Sequence, residues 1–198
     1  MSAPDADAAD RAPRWRHPSW LEDVQRVDAA VYATIARTPT PSLDRAMRRI
    51  ARAADYSRLS LASAGVLALA GGSSGRRAAW MGLASVAGTA SLVNAVLKPL
   101  GRRRRPNRVT QTVPTARQVP MPVSSSLPSG HSAAAFAFAT GVGHVLPQAA
   151  APLRGLAAVV AYSRVHTGVH YPGDVIAGAL IGAALAQATT HALDRHWH

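Results

Sequence analysis

Two long charge-free stretches, in a sequence that otherwise holds 22 Lys and Arg, constrain this chain more than any other feature. Leu59–Ser74 contains no charged residue and is bracketed by Arg58 and Arg76; Ala78–Leu97 is a second such run, closed by Lys98 and Pro99. A hydrocarbon core about 30 Å thick is crossed by about 20 mainly apolar helical residues. The second run has that length, whereas the first needs flanking side chains that reach back to the interface. Three more apolar segments follow, Ser132–Leu146, Leu156–Tyr162 and Val175–Ala188. Backbone in lipid must satisfy its own hydrogen bonds, so the expected fold is all-α, an integral membrane bundle of about five spanning helices. A soluble Ala-rich helical bundle is the competing expectation. In the last segment Gly178 and Gly182 give the small-residue spacing that lets two helices approach closely.

The part before Leu59 is of another kind. Residues 1–20 carry Pro4, Pro13 and Pro18 among Ala, Asp and Arg, which predicts a mobile polar tail. No apolar run precedes a cleavage site there, so insertion must use internal, uncleaved segments. Residues 21–58 read as amphipathic surface helices. The first, Leu21–Ala36, places Leu21, Val24, Val27, Ala30, Val31 and Ile35 on one stripe. The second, Leu43–Ala54, follows a Thr-Pro-Thr-Pro break with Ser42 as its cap, and sets Met47 and Ile50 opposite Arg48, Arg49 and Arg52. Residues 59–198 form the membrane domain.

A formal charge of +12 calls for a partner of opposite sign: nucleic acid, an anionic lipid surface or a phosphate-bearing substrate. The absence of cysteine excludes disulfides and thiolate metal sites. Gly101–Ser126 is a long polar connection with five arginines by Arg108 and four prolines, and loops of that length are usually functional or disordered.

Three motifs lie at the ends of the apolar segments. The first runs from Lys98 to Arg105-Pro106, a lysine and an Arg-Pro separated by six residues; the second is Pro128-Ser129-Gly130-His131, opening a helix. In the third, Ser163-Arg164 is followed after five residues by His170 and after three more by Asp174, again at a helix start. Each alone is weak, and Asp174 by itself reads as a plain helix cap. Together, in this order, they resemble the three-part signature of the type 2 phosphatidic acid phosphatase superfamily, which also includes vanadium haloperoxidases. The resemblance covers roughly Leu59 to the C-terminus, making 59–198 a membrane phosphatase domain. Many membrane relatives have six spans; here the segment before Leu59 is too polar for one, and the surface helices stand in its place.

The residue chemistry agrees. A transferring phosphoryl group spreads charge over three oxygens, so its site needs fixed positive donors. Lys98, Arg105 and Arg164 are such donors, while Ser129 and Gly130 at a helix start offer a hydroxyl and backbone amides. The resemblance implies that His170 is the nucleophile, that Asp174 holds its other ring nitrogen, and that His131 is the general acid and then the base. It implies no cofactor and no metal, the cations doing the electrostatic work. Arg102–Arg104 read as an interfacial cluster, and His166 receives no role.

The expected activity is hydrolysis of a lipid phosphomonoester or diphosphate through a phosphohistidine. Candidate substrates are phosphatidate, phosphatidylglycerophosphate, a polyprenyl phosphate or diphosphate, and a phosphorylated sugar on a polyprenyl carrier. A vanadate-dependent haloperoxidase is the alternative on the same site. A nucleic-acid-binding protein leaves the apolar runs unexplained. The expected partners are thus a phosphorylated lipid and a bilayer, with no nucleic acid; the oligomeric state stays open. A multi-pass place in a bacterial-type plasma membrane follows, and the excess of Lys and Arg on the site's side favours a cytoplasmic-facing site over an outward-facing one.

Overall fold

The computed structural model describes residues 19–196, so all of the expected tail but Ser19 and Trp20 lies outside the described residues. Every regular element within them is helical. We number them α1 (Ser19–Arg37), α2 (Pro41–Ala53), α3 (Arg58–Ala70), α4 (Gly72–Leu92), α5 (Gly130–Val145), α6 (Pro147–His166) and α7 (Pro172–His196). α4 runs on through a π-helical turn, Val93–Leu97, to Leu100. Such turns favour functional sites, and this one ends at Lys98.

Helices α3 to α7 run back and forth, and α5 is their centre, packed on α4, α6 and α7. Backbones close up where the sequence supplies glycine. A side chain at Gly178 would strike the backbone of Ser129, and one at Gly182 the backbone of Ala133, so α7 lies directly against the first turns of α5. Between α4 and α5, a side chain at Gly141 would strike the backbone of Met81, and one at Gly82 the side chains of Phe138 and Val142.

Two expected boundaries move. The turn between the first two apolar runs falls at Gly71–Gly72, where Gly72 has a φ of 60°, so Arg76 and Arg77 sit inside α4 rather than between helices. Pro41 rather than Leu43 starts α2; Thr40 precedes it and donates its hydroxyl to Asp44. Two helices among the described residues are long and apolar enough to cross a bilayer, Gly72–Leu100 and Pro172–Arg195, each with mean hydropathy 1.4. α3, with 13 residues, rises only about 20 Å. α6 has 20 residues but contains Pro152 and Arg154.

The surface helices lie against the end of the bundle where α6 ends and α7 begins. Trp20, Val24, Val27 and Val31 of α1 are exposed along one face, while Asp28, Tyr32 and Ala36 turn inward. The stripe read from the sequence is therefore mostly not the face that packs. A buried polar knot fixes α2: Asp44 accepts from His166 Nε2 (2.8 Å) and faces Arg117 Nε at 3.0 Å. Arg117 in turn donates to Ile35 O and Thr38 O, closing the end of α1. Burial by itself would raise the Asp44 carboxyl; hydrogen bonds from Thr40 and His166 and the Arg117 charge outweigh it and hold the group below its usual range. His166, given no role by the sequence, is thus a structural tie.

Candidate active site

The three motifs meet at one end of the bundle because α4 and α6 end there and α5 and α7 begin there. Gly130 admits the lysine: a Cβ on it would lie 3.2 Å from Lys98 Nζ. Ser129 precedes α5 without capping it through its side chain, which leaves the first-turn amides to other partners. Its N–H donates to Asp174 O (2.9 Å), so the second motif is stitched to the third. Its hydroxyl accepts from Ser132 Oγ at 3.0 Å.

Arg105 is held on the loop by donation from Nε to Ser124 O (2.9 Å) and from Nη2 to Ser125 O (3.1 Å). Its Nη1 donates to Val169 O at 2.8 Å and faces His170 Nε2 at 3.2 Å. A guanidinium has donors only, so the Nε2 that it faces carries the lone pair. The ring proton is then on Nδ1, which looks toward Asp174 Oδ2 across 3.6 Å, too long for a hydrogen bond. Burial pushes the His170 imidazole down to about 4; Asp174 pulls it up, and Arg105 and Arg164 push it further down. Near neutrality His170 is an uncharged base with its lone pair toward Arg105.

Asp174, fully buried, accepts from Ser126 Oγ and from Tyr171 N–H (2.9 Å). Arg164 is buried too; its Nη1 donates to Ala51 O (3.3 Å), and its Nε has no protein partner. His131 and Arg164 face the same carboxylate, Asp55. All eight residues singled out from the sequence lie at this end of the bundle, although no hydrogen bond joins His131 directly to His170.

Three residues that make contacts at this end escaped the sequence reading. Arg103, assigned to an interfacial cluster, is instead an inner bridge: Nη1 donates to Asp174 Oδ1 (2.8 Å) and Nη2 to Asp28 Oδ2 (2.5 Å), over the ring of Tyr171. Asp28, on α1, also accepts from Gly173 N–H at 2.7 Å. Asp55 is the third. One signal was available: beyond Asp55 the chain has only Asp174 and Asp194 as acids, so each acid among so many arginines has cations within reach.

Two cavities meet at His131. One of about 360 Å³ opens between Asp55, Arg164 and the Val119–Pro122 loop. The other, about 180 Å³, runs from Lys98 and Gly130 along Leu59, Ala90, Val93 and Ala134. A charged chamber thus adjoins a mainly apolar groove between helices, a form suited to an amphipathic ligand.

A family model described as the PAP2 superfamily matches residues 79–198. Decaprenylphosphoryl-5-phosphoribose phosphatase from two strains of Mycobacterium tuberculosis is 34% identical over 114 residues, which are 56% of this chain and 59% of that protein. The chain therefore spans somewhat less than two thirds of these curated relatives. The first transmembrane PAP2 type phosphatidylglycerolphosphate phosphatase from Bacillus subtilis superposes with a TM-score of 0.64 at 25% identity, covering 87% of each chain. Aquifex aeolicus LpxE superposes with a TM-score of 0.66 at 23% identity, covering 83% of this chain and 95% of its own, a likeness of fold.

Proposed function

The chain belongs to the PAP2 superfamily, and from that premise we propose that it is a membrane phosphatase that hydrolyses a lipid-linked phosphate through a phosphohistidine at His170. The observation that carries the reading is the contact of Arg105 Nη1 with His170 Nε2, which presents a lone pair where a phosphate would be gripped. In the proposed reaction Nε2 attacks phosphorus. Lys98, Arg105 and Arg164, with the α5 amides and Ser129, take the charge on the equatorial oxygens. Asp174 stabilises the ring cation that forms. His131 protonates the leaving oxygen, then takes a proton from the water that releases phosphate. The three cations perform the charge stabilisation that a metal ion supplies elsewhere, so the scheme uses none.

The groove along Leu59, Ala90 and Val93 supports an apolar chain as the rest of the substrate. The relatives named above make a phosphorylated sugar on a polyprenyl carrier and a phosphatidylglycerophosphate the first two substrates to try. Helices α3 to α7 are the five crossing helices in this reading. Exposed Leu61, Val66 and Leu69 on α3, Trp80 on α4, and Ile176 and Leu180 on α7 supply a lipid-facing surface. The shorter α3 is completed by Arg58 and its neighbours reaching into the headgroups.

The test is phosphate release by the detergent-purified chain from those two lipids, phosphatidate and a polyprenyl diphosphate. Wild type is expected to hydrolyse at least one, and His170→Ala to lose both turnover and the acid-labile phosphoenzyme. Release from none, or near-normal turnover in His170→Ala, defeats the reading.

A further inference from the structure

His131 has a partner that none of the three motifs contains. Asp55 lies in the 3₁₀ turn Asp55–Ser57 between α2 and α3, with Oδ1 3.0 Å from His131 Nε2 and 3.8 Å from Arg164 Nη1. The turn has an unusual backbone: Tyr56 and Ser57 adopt φ of 55° and 57°, a region that residues with side chains seldom enter. It also borders both cavities, Tyr56 lining each of them.

The hydrogen-bond chemistry decides what this contact does. An ionised carboxylate only accepts, so the Nε2 that it faces carries hydrogen. Nδ1 is then the nitrogen left to exchange a proton. A general acid must hold a proton before it can give one, and cations are neighbours of His131: Lys98 lines the same groove and Arg164 the same chamber. Asp55 is the carboxylate that offsets these cations. A carboxylate merely filling the phosphate position would sit among the cations. Asp55 instead bonds to the histidine, stays 3.8 Å from Arg164, and reaches neither Lys98 nor Arg105 within 4.0 Å.

We propose that Asp55 is the positioning residue of the acid–base histidine, fixing the hydrogen on His131 Nε2 and favouring the imidazolium that protonates the leaving group. This rests on the phosphohistidine reading above. In the first half-reaction the bond from His170 Nε2 to phosphorus forms, the ester P–O bond breaks, and the Nδ1 proton of His131 passes to the departing alkoxide. In the second, Nδ1 removes a proton from water, the water oxygen bonds to phosphorus, and the P–N bond breaks with its electron pair returning to His170. His131–Asp55 thus forms a second histidine–carboxylate pair, opposite His170–Asp174.

The test compares kcat/KM, which reports the steps up to phosphoenzyme formation, for two esters of unequal leaving groups. The probes are p-nitrophenyl phosphate, whose phenolate departs without a proton, and dodecyl phosphate, whose alkoxide needs one. Asp55→Asn keeps the turn's size and is expected to lose about 10²-fold on dodecyl phosphate, the scale of general-acid catalysis, and far less on the aryl ester. Asp55→Glu should restore part of the loss, and Asp55→Asn should add little to His131→Ala. Equal losses on both esters, or additive losses in the double variant, overturn the proposal in favour of a purely structural turn. Faster hydrolysis of both esters with tighter vanadate inhibition overturns it in favour of a carboxylate that competes with phosphate. Wild type inert toward both esters and toward the four lipids defeats the parent reading and this one with it.

Discussion

His170 shows how far one side chain's surroundings set its chemistry. Burial and two guanidinium groups keep the ring neutral down to about pH 4, against about 6.5 for a free histidine. In the proposed reaction the neutral form attacks, so activity carried by this group is present above its folded pKa and falls as pH drops through it. We expect the acid limb of kcat/KM that belongs to His170 to lie near pH 4. Arg105→Gln removes a cation 3.2 Å away and should move that limb upward, whatever it does to the absolute rate. A pH–rate profile from 3.5 to 8 checks this; an unchanged or lower limb in Arg105→Gln would contradict it. His170, His131 and Asp174 could be singled out because the spacing of their motifs is local. Asp28, Asp55 and Arg103 were not legible, since each gains its meaning from a partner far along the chain: Asp28 from Gly173, Asp55 from His131, Arg103 from Asp174. A polar residue in an apolar stripe, as Asp28 is between Val27 and Val31, is the one local hint of such a partner.

At the scale of elements, the approach of α7 to α5 is what places the second motif against the third. Small residues at Gly178 and Gly182 were readable as a close-packing pair, and the contact falls where they lie. The partner helix was not readable, because a small-residue spacing names a face and not its neighbour. Gly178→Ala drives a methyl group into the Ser129 backbone, and forced overpacking of this kind costs about 1–3 kcal/mol. The displaced atoms belong to the proposed phosphate site, so turnover should fall more than thermal stability in detergent. Gly155→Ala, which meets nothing within 4 Å, should leave both unchanged. Equal turnover in Gly178→Ala and wild type would show that the start of α5 can shift without consequence. The position of the α3–α4 turn escaped the sequence reading for a related reason. Arg76 and Arg77 looked like the interruption, but Gly72 in a left-handed conformation makes the corner, and Arg77 pairs with Asp194 across the far end.

For the whole molecule, the charge at the two ends of the bundle bears on which way the site faces. α3, α5 and α7 leave the site's end and α4 and α6 return to it, so α1, α2 and the Arg-rich loop share that end. The opposite end holds Arg76, Arg77, Arg154 and the close of α7. Basic residues near helix ends favour the cytoplasm, and we propose that the site faces it. Alkaline phosphatase fused after His198 should then be active outside the cytoplasm, and the same reporter at Ser2 inactive. The reverse pattern places the site outward; both ends on one side removes the count of five spans. Order of synthesis gives the tie between Asp28 and Gly173 a further meaning, because those residues are 145 positions apart. A ribosome makes α1 and α2 first, yet the partners of Asp28 and Asp44 on α6 and the turn beyond it emerge almost last. Until then Asp28 has Arg103 and Asp44 has Thr40 and Arg117 but neither has its full set of partners, so in the proposed reading the centre is completed only when the last helix forms.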